Sequence, residues 1–350
     1  MASGEIDWQN VKRVLIVKLR SIGDTVLCTP SLIALRRFLP DAQIDILLED
    51  WVAPLLEGYD AIDNVIRVGK SSSERIKIAF ELRRRRYDVV FNMHGGTTAT
   101  LFTAASRASH RVGVAYYQYS FLYNHLLSSS LDFWGTDFAH SAEQQLALLG
   151  FVGVPVQDRP MSRLTVTGKA ADQVTAKCLS GWTEDDKVAL IHPAAAFATK
   201  QWATANFART VEFLADKGYK AVGIASRNES SILSELKDLS GIEVRTFDDL
   251  TLPEITALAS RADLFVGNDS GIAHIAAAVG TPTVVVFGSS NRNHWRPWTD
   301  APNEIVFSEF ACQPCPGYVC AEFGEPRCIL NVAPSAVFTA VERVLSAPKI

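Results

Sequence analysis

Residues 264–287 run Leu264-Phe265-Val266-Gly267-Asn268-Asp269-Ser270-Gly271-Ile272-Ala273-His274-Ile275-Ala276-Ala277-Ala278-Val279-Gly280-Thr281-Pro282-Thr283-Val284-Val285-Val286-Phe287, and their reading decides the fold. A short apolar run ends in a Gly/Asn/Asp/Ser/Gly loop, and an alanine-rich helical segment follows. Gly280, Thr281 and Pro282 then break the helix before a second apolar run rich in valine. This is strand, loop, helix, turn, buried strand, the repeating unit of a parallel sheet. Ser270 to Asn291 holds no Asp, Glu, Lys or Arg, which suggests a membrane span by length alone. The Gly-Thr-Pro interruption argues for two short elements instead, so no spanning segment is expected.

The same alternation extends towards both ends of the chain. Val14 to Val17, Ile44 to Leu48, Val65 to Val68 and Asp88 to Phe91 read as strands, with helical segments after Asp24 and from Ile76 to Arg86. Val188 to His192, Ala221 to Ile224, Ile242 to Phe247, Leu264 to Val266 and Thr283 to Phe287 form a second set. A polar, weakly periodic region around Pro155 to Lys169 separates them. The expected fold class is α/β, with two Rossmann-like, doubly wound domains facing across a cleft. Their expected bounds are residues 1–167 and 168–350. A last helix, from about Pro334 to Leu345, is expected to pack back on the first domain.

Length and composition agree with this division. The chain has 350 residues, of which 48% are hydrophobic and 21% charged, the make-up of a globular protein of about two domains. With 34 basic and 38 acidic residues its formal net charge is -4, so no global attraction to nucleic acid is expected. The opening residues have no basic run and no long apolar stretch, which points to the cytoplasm.

Several positions carry chemistry. Backbone amides at the helix start after Ser270 can converge on an anion, and Gly271 lets a phosphate approach closely. Asp269 is better suited to sugar hydroxyls, although Asp269 or Ser270 could equally serve as a plain N-cap. Lys200, before the next helix, is a suitable point charge for a diphosphate or simply a solvated lysine. Glu229, just beyond the strand Ala221 to Ala225, can take ribose hydroxyls or favour a helix start. Asp24, in the loop after the first strand, is placed to act as a general base or as another N-cap.

Cys312, Cys315, Cys320 and Cys328 cluster within the segment 312–328, with Cys28 and Cys178 elsewhere. Four thiolates at this spacing can clip a loop around zinc or iron, or remain reduced thiols that order it. Neither reading gives the reaction a metal. The run Arg83-Arg84-Arg85-Arg86 reads as a solvated helix end, with attraction to an anionic membrane surface as the other reading.

Together these segments resemble glycosyltransferase family 9, the ADP-heptose:lipopolysaccharide heptosyltransferases. The resemblance runs through Val14 to Lys18 with Ile22-Gly23-Asp24 and Pro30, and through His140 to Glu143 before Leu149-Gly150. It continues in His192-Pro193 with Lys200 and Trp202, in Gly267 to His274 with Ala276 to Pro282, in Phe287-Gly288, and in Trp295 to Trp298. It implies the GT-B architecture, with acceptor bound by the first domain and nucleotide sugar by the second. It also implies that Asp24 is the catalytic base, Lys200 the diphosphate lysine, Glu229 the ribose ligand, and Asp269, Ser270 and Gly271 the donor-sugar and phosphate loop, with His274 in the same motif. Where relatives often place Gly and Ser or Thr after His-Pro, this chain has Ala194-Ala195-Ala196, so Thr199 or backbone amides are expected to replace the lost hydroxyls.

The expected activity is inverting transfer of heptose from ADP-heptose to a hydroxyl of an inner-core lipopolysaccharide saccharide, without a cofactor. The expected partners are the nucleotide-sugar donor and a lipid-linked saccharide acceptor. The arginine run adds peripheral contact with the inner membrane as its second reading. Alternatives are transfer of another nucleotide-activated sugar, a protein acceptor, a nucleotide-sugar epimerase or hydrolase, and a non-catalytic scaffold of the same fold.

Overall fold

The computed structural model describes residues 5–315 and 317–348. The chain divides into two compact units, Met1–Thr165 and Val166–Ile350.

The first unit contains β1 (Arg13–Leu19), α1 (Ile22–Val26), α2 (Thr29–Phe38), β2 (Gln43–Glu49), β3 (Asn64–Val68), α3 (Ser72–Arg85), β4 (Val89–Asn92), α4 (Gly96–Ala105), β5 (His110–Val114), β6 (His125–Leu127), α5 (Ser130–Trp134) and α6 (Ser141–Gly150). Its six strands are all parallel, in the order β3-β2-β1-β4-β5-β6. Ile16 sits between Ile46 and Phe91 in register, and β1 is buried from Val14 onward. A strand buried on both faces reads as one continuous apolar run, which is why Val14 to Val17 signalled it.

The second unit contains α7 (Gly168–Lys177), β7 (Lys187–His192), α8 (Thr204–Asp216), β8 (Tyr219–Ile224), α9 (Ser230–Leu239), β9 (Val244–Phe247), α10 (Leu252–Arg261), β10 (Leu264–Asn268), α11 (Gly271–Ala278), β11 (Thr283–Phe287), α12 (Arg292–Trp295), β12 (Asn303–Phe307), α13 (Arg327–Leu330) and α14 (Pro334–Ser346). Its sheet repeats the winding of the first, in the order β12-β11-β10-β7-β8-β9, again all parallel. Gly280 ends α11 with φ +83°, a left-handed conformation that suits glycine at a helix exit. No described helix is long and apolar enough to cross a membrane.

In both sheets the strand order reverses direction at one point, between β1 and β4 and between β7 and β10. Crevices outside the carboxyl ends of strands at such points are where open α/β sheets bind ligands. The apolar stripe of α14, Val337, Ala340, Val341 and Val344, packs into the second unit's own core with Trp202, Phe207 and Ile329. Strands β5, β6 and β12 were not legible in the sequence, because β5 opens on His110-Arg111 and β12 on Asn303-Glu304, and β6 is only three residues long.

Candidate active site

Asp24 lies in the first turn of the short helix α1 rather than in a loop, since the chain turns helical two residues after β1 with Ser21 as N-cap residue. It is not a capping group: its Oδ2 accepts from the Ser21 hydroxyl at 2.9 Å, and its Oδ1 lies 3.4 Å from Lys18 Nζ. Lys18 is buried near the end of β1 and also donates to the Met93 carbonyl at 3.0 Å. Burial alone would raise the Asp24 pKa, but the Lys18 charge and the hydrogen bonds from Ser21 and Lys18 outweigh it and hold the carboxyl below its ordinary value. The Asp24 side chain is 34% exposed, so an ionised oxygen remains accessible to a substrate hydroxyl.

His94 follows β4 on the other side of the reversal point. Its pKa is lowered by burial first and by Lys18 next, against the opposing pull of Asp24 and a hydrogen bond to the Arg20 backbone. The imidazole is therefore neutral at physiological pH. Lys18, Ser21 and His94 complete the Asp24 cluster, and sequence reasoning assigned none of them a role. Lys18 entered the sequence analysis only as the last residue of the stretch Val14 to Lys18 that carries the family resemblance.

In the second unit, Lys200 Nζ bonds Asp269 Oδ2 at 2.8 Å, and the Ser290 hydroxyl donates to the same oxygen at 2.5 Å. The Asp269 side chain is 6% exposed and that of Lys200 22%. Ser270 occupies the N-cap position of α11, yet its side chain makes no capping bond, and among the described residues its buried Oγ has no hydrogen-bond partner. The plain N-cap reading thus fails for both residues. The first amides of an α-helix lack intrahelical acceptors, so the start of α11 at Gly271 offers N–H donors beside the Lys200 ammonium. His274 is buried one turn further into α11.

Asn268 holds these pieces in register. Its Nδ2 donates to the Pro193 carbonyl at 2.8 Å, and its Oδ1 accepts the Trp202 amide at 3.0 Å, so the end of β10 clamps the loops that follow β7. Trp202 is itself fully buried and donates to the Val332 carbonyl. His192 is buried with Nδ1 against the Ile224 carbonyl at 2.9 Å, and burial lowers its pKa against that bond and the Glu229 charge. Glu229 stands in a 3₁₀ turn after β8, where its carboxylate accepts from the Ser226 amide and hydroxyl.

Thr199 departs from its expected role. Its hydroxyl is buried, donates to the Gly317 carbonyl and accepts from the Ser289 hydroxyl at 3.1 Å, so it fastens a loop instead of facing a ligand. That loop is the cysteine segment: the Cys315 amide bonds the Ser289 carbonyl, and Gln313 Nε2 bonds the Gly288 carbonyl. Thr199, Ser289, Cys312, Cys315, Cys320 and Cys328 line one cavity of about 10 Å³, room for a single water-sized atom. The Cys328 thiol is raised by burial first and then by the neighbouring Cys315, Cys312 and Cys320. All six cysteines are free, and among the described residues no three Cys, His, Asp or Glu side chains form a group set to hold a metal ion.

The family model of glycosyltransferase family 9 (heptosyltransferase) matches residues 75–324. The chain belongs to this family. It is 28% identical over 353 residues to lipopolysaccharide heptosyltransferase 3 of Escherichia coli K12, covering 93% of this chain and 96% of that protein. The solved structure of E. coli ADP-heptose lps heptosyltransferase II superposes with TM-score 0.80 at 19% identity, covering 95% of this chain and 98% of that one. E. coli heptosyltransferase WaaC with ADP gives TM-score 0.71 at 19% identity over 94% of this chain and 99% of that one. At such identities the structures establish the fold, which is GT-B, and the family match makes the chain a glycosyltransferase.

Proposed function

We infer that this chain is an inverting heptosyltransferase that moves heptose from ADP-heptose to a hydroxyl of an inner-core lipopolysaccharide saccharide. The observation that carries the reading is the Lys200–Asp269 pair at the start of α11, a cation and a carboxylate side by side at the reversal point of the second sheet. The diphosphate of the donor lies on the amides after Ser270 and on Lys200. Asp269, still held by Ser290, turns to the hydroxyls of the sugar, and Glu229 to those of the ribose.

In the transfer step the acceptor oxygen forms a bond to the anomeric carbon while the bond from that carbon to the diphosphate oxygen breaks. The proton of the acceptor hydroxyl goes to Asp24, and the negative charge of the leaving ADP is met by Lys200 and the helix amides. Lys18 and Ser21 keep the Asp24 carboxylate ionised and oriented. With charge on the leaving group already neutralised by fixed donors, the chemistry calls for no cofactor beyond the donor. The acceptor is lipid-linked, so the chain works against the cytoplasmic face of the inner membrane.

The direct test is ADP release from ADP-heptose, measured with and without an inner-core acceptor, beside thermal stabilisation by ADP, UDP, GDP, CMP and NAD at matched concentrations. Acceptor-dependent ADP release and selective stabilisation by ADP are expected. Preference for UDP or GDP would discard heptose as the transferred sugar, and donor turnover without acceptor would point to a hydrolase or epimerase.

A further inference from the structure

Helix α3 presents two unlike sides. Leu82 is fully buried in the core of the first unit, with Ile78 and Ala79 packed against the same cluster. Arg85 turns inward, where it bonds the buried Asp45 at 3.1 Å and Glu81 at 2.7 Å, so the end of the helix is clamped onto the sheet. Its outer side is thereby fixed in direction.

At 100° per residue, Ile76, Lys77, Phe80, Arg83 and Arg84 fall within an arc of about 120°, roughly opposite Leu82. Ile76 is 58% exposed and Phe80 60%, one turn apart. Lys77, Phe80, Arg83, Arg84 and Arg86 line one open groove on this side. The acids of α3 lie off the arc: Glu74 is tied to Ser71 in a capping box, although its charge reaches Lys77, and Glu81 pairs with Arg85. Among the described residues no carboxylate forms an ion pair with Arg83, Arg84 or Arg86.

A helix face that alternates exposed aromatic or aliphatic residues with unpaired cations matches an anionic lipid surface, where apolar side chains enter the headgroup layer and cations meet phosphates. A second copy of this face would bring like charges together. A nucleic acid would use the cations and leave Ile76 and Phe80 without a partner. The chain as a whole carries a formal charge of -4, so attraction to an anionic bilayer has to come from a local face such as this one, which also sets the orientation of docking.

We propose that the outer face of α3 is a membrane-docking face, with Ile76 and Phe80 seated among the headgroups and Lys77, Arg83, Arg84 and Arg86 on the phosphates of anionic lipids. It rests on the proposed lipid-linked acceptor for its purpose, not for its chemistry.

The test is co-sedimentation of the full chain with vesicles of phosphatidylglycerol and phosphatidylcholine, against vesicles of phosphatidylcholine alone, at low and high salt. The wild-type chain should partition onto the anionic vesicles, and salt should release it. Each cation removed should cost about fivefold in partition, so R83Q/R84Q should lose about thirtyfold. Phe80→Ser should lose about tenfold with the salt dependence kept. Stabilisation by ADP should be unchanged in both variants, which shows that they are folded. Failure of the wild type to partition, equal binding to neutral vesicles, or variants that bind as well as wild type would each overturn the proposal.

Transfer to a vesicle-embedded acceptor should fall in step with partition, while transfer to a lipid-free acceptor fragment stays at the wild-type rate. Absence of transfer to either acceptor, with partition and its salt dependence intact, would remove the heptosyltransferase reading and leave the docking face standing.

Discussion

Replacing Lys200 by alanine separates two consequences of one ion pair. Asp269 is almost fully buried, and without Lys200 its carboxylate keeps only the Ser290 hydroxyl as a side-chain partner. Removing one member of a buried pair costs about 3–5 kcal/mol, but Lys200 is 22% exposed and water screens the site, so about 1–3 kcal/mol is the proper expectation. For a body of this size that lowers the melting midpoint by roughly 4–8 °C at the middle of the range. The second consequence concerns ligand. A charge-assisted hydrogen bond to the diphosphate is worth about 1.5–3 kcal/mol, so ADP should bind roughly 10- to 150-fold more weakly. An ADP concentration that is a hundred times the wild-type dissociation constant stabilises the wild type by about 2.7 kcal/mol and a hundredfold weaker variant by about 0.4 kcal/mol.

Differential scanning calorimetry with and without ADP reads both effects, and the double variant K200A/D269N separates them. Neutralising Asp269 should restore most of the lost stability, because no unpaired buried charge is left. It should not restore stabilisation by ADP, because the cation is still missing. Asp269→Asn alone should keep the ADP effect at least at the wild-type level, since Lys200 is then free of its carboxylate. An undiminished ADP shift in Lys200→Ala would refute the diphosphate role. Equal melting of the single and double Lys200 variants would refute the claim that the pair is coupled.

Asp24→Asn should lower turnover by about 10²- to 10⁴-fold, the usual worth of a positioned base, with ADP stabilisation intact; near-normal turnover would remove Asp24 from the chemistry. The pH dependence follows from its environment. Its folded pKa is lowered, so the carboxylate contributes stability above its ordinary pKa and loses it as pH falls through the lowered value, and the acid limb of kcat/KM lies below the ordinary carboxylate range. Lys18→Met removes the main lowering charge and should move that limb to higher pH, which a profile of kcat/KM measures; an unmoved limb would deny Lys18 its positioning role. At Gly288 an added Cβ would collide with the Thr199 carbonyl, so Gly288→Ala should displace the turn that carries Lys200, lower the melting midpoint and weaken ADP binding together, as titration calorimetry can check.

The fold was legible because its central strands are buried on both faces. Val14 to Val17, Val188 to Ile191 and Val284 to Phe287 are apolar throughout, the pattern of strands covered on both sides of a parallel sheet. The loop proposed to hold the donor stood out in the sequence for a related reason: a close approach of phosphate to a helix start needs small residues, and Gly267, Ser270 and Gly271 lie together where β10 passes into α11. Thr199 was misplaced because its neighbours in sequence give no hint of the cysteine segment folding back onto it, with Gly317 as its partner 118 residues away.

The sequence by itself determined the alternation of strands and helices, the division into two units of like design, and the residue types gathered near the ends of the central strands. Only the tertiary structure decided which of these meet. Lys200 and Asp269 are 69 residues apart, Lys18 reaches Met93 across 75, and Asn268 joins Pro193 across the same span. It also sorted the arginine run, turning Arg85 towards the buried Asp45 and leaving Arg83 and Arg84 outward. Local periodicity reports which face of an element is buried. It is silent about the partner, because parallel pairing places neighbours in space that are far apart in the chain, and the side chains at their ends take charge partners that only the completed sheet brings within reach.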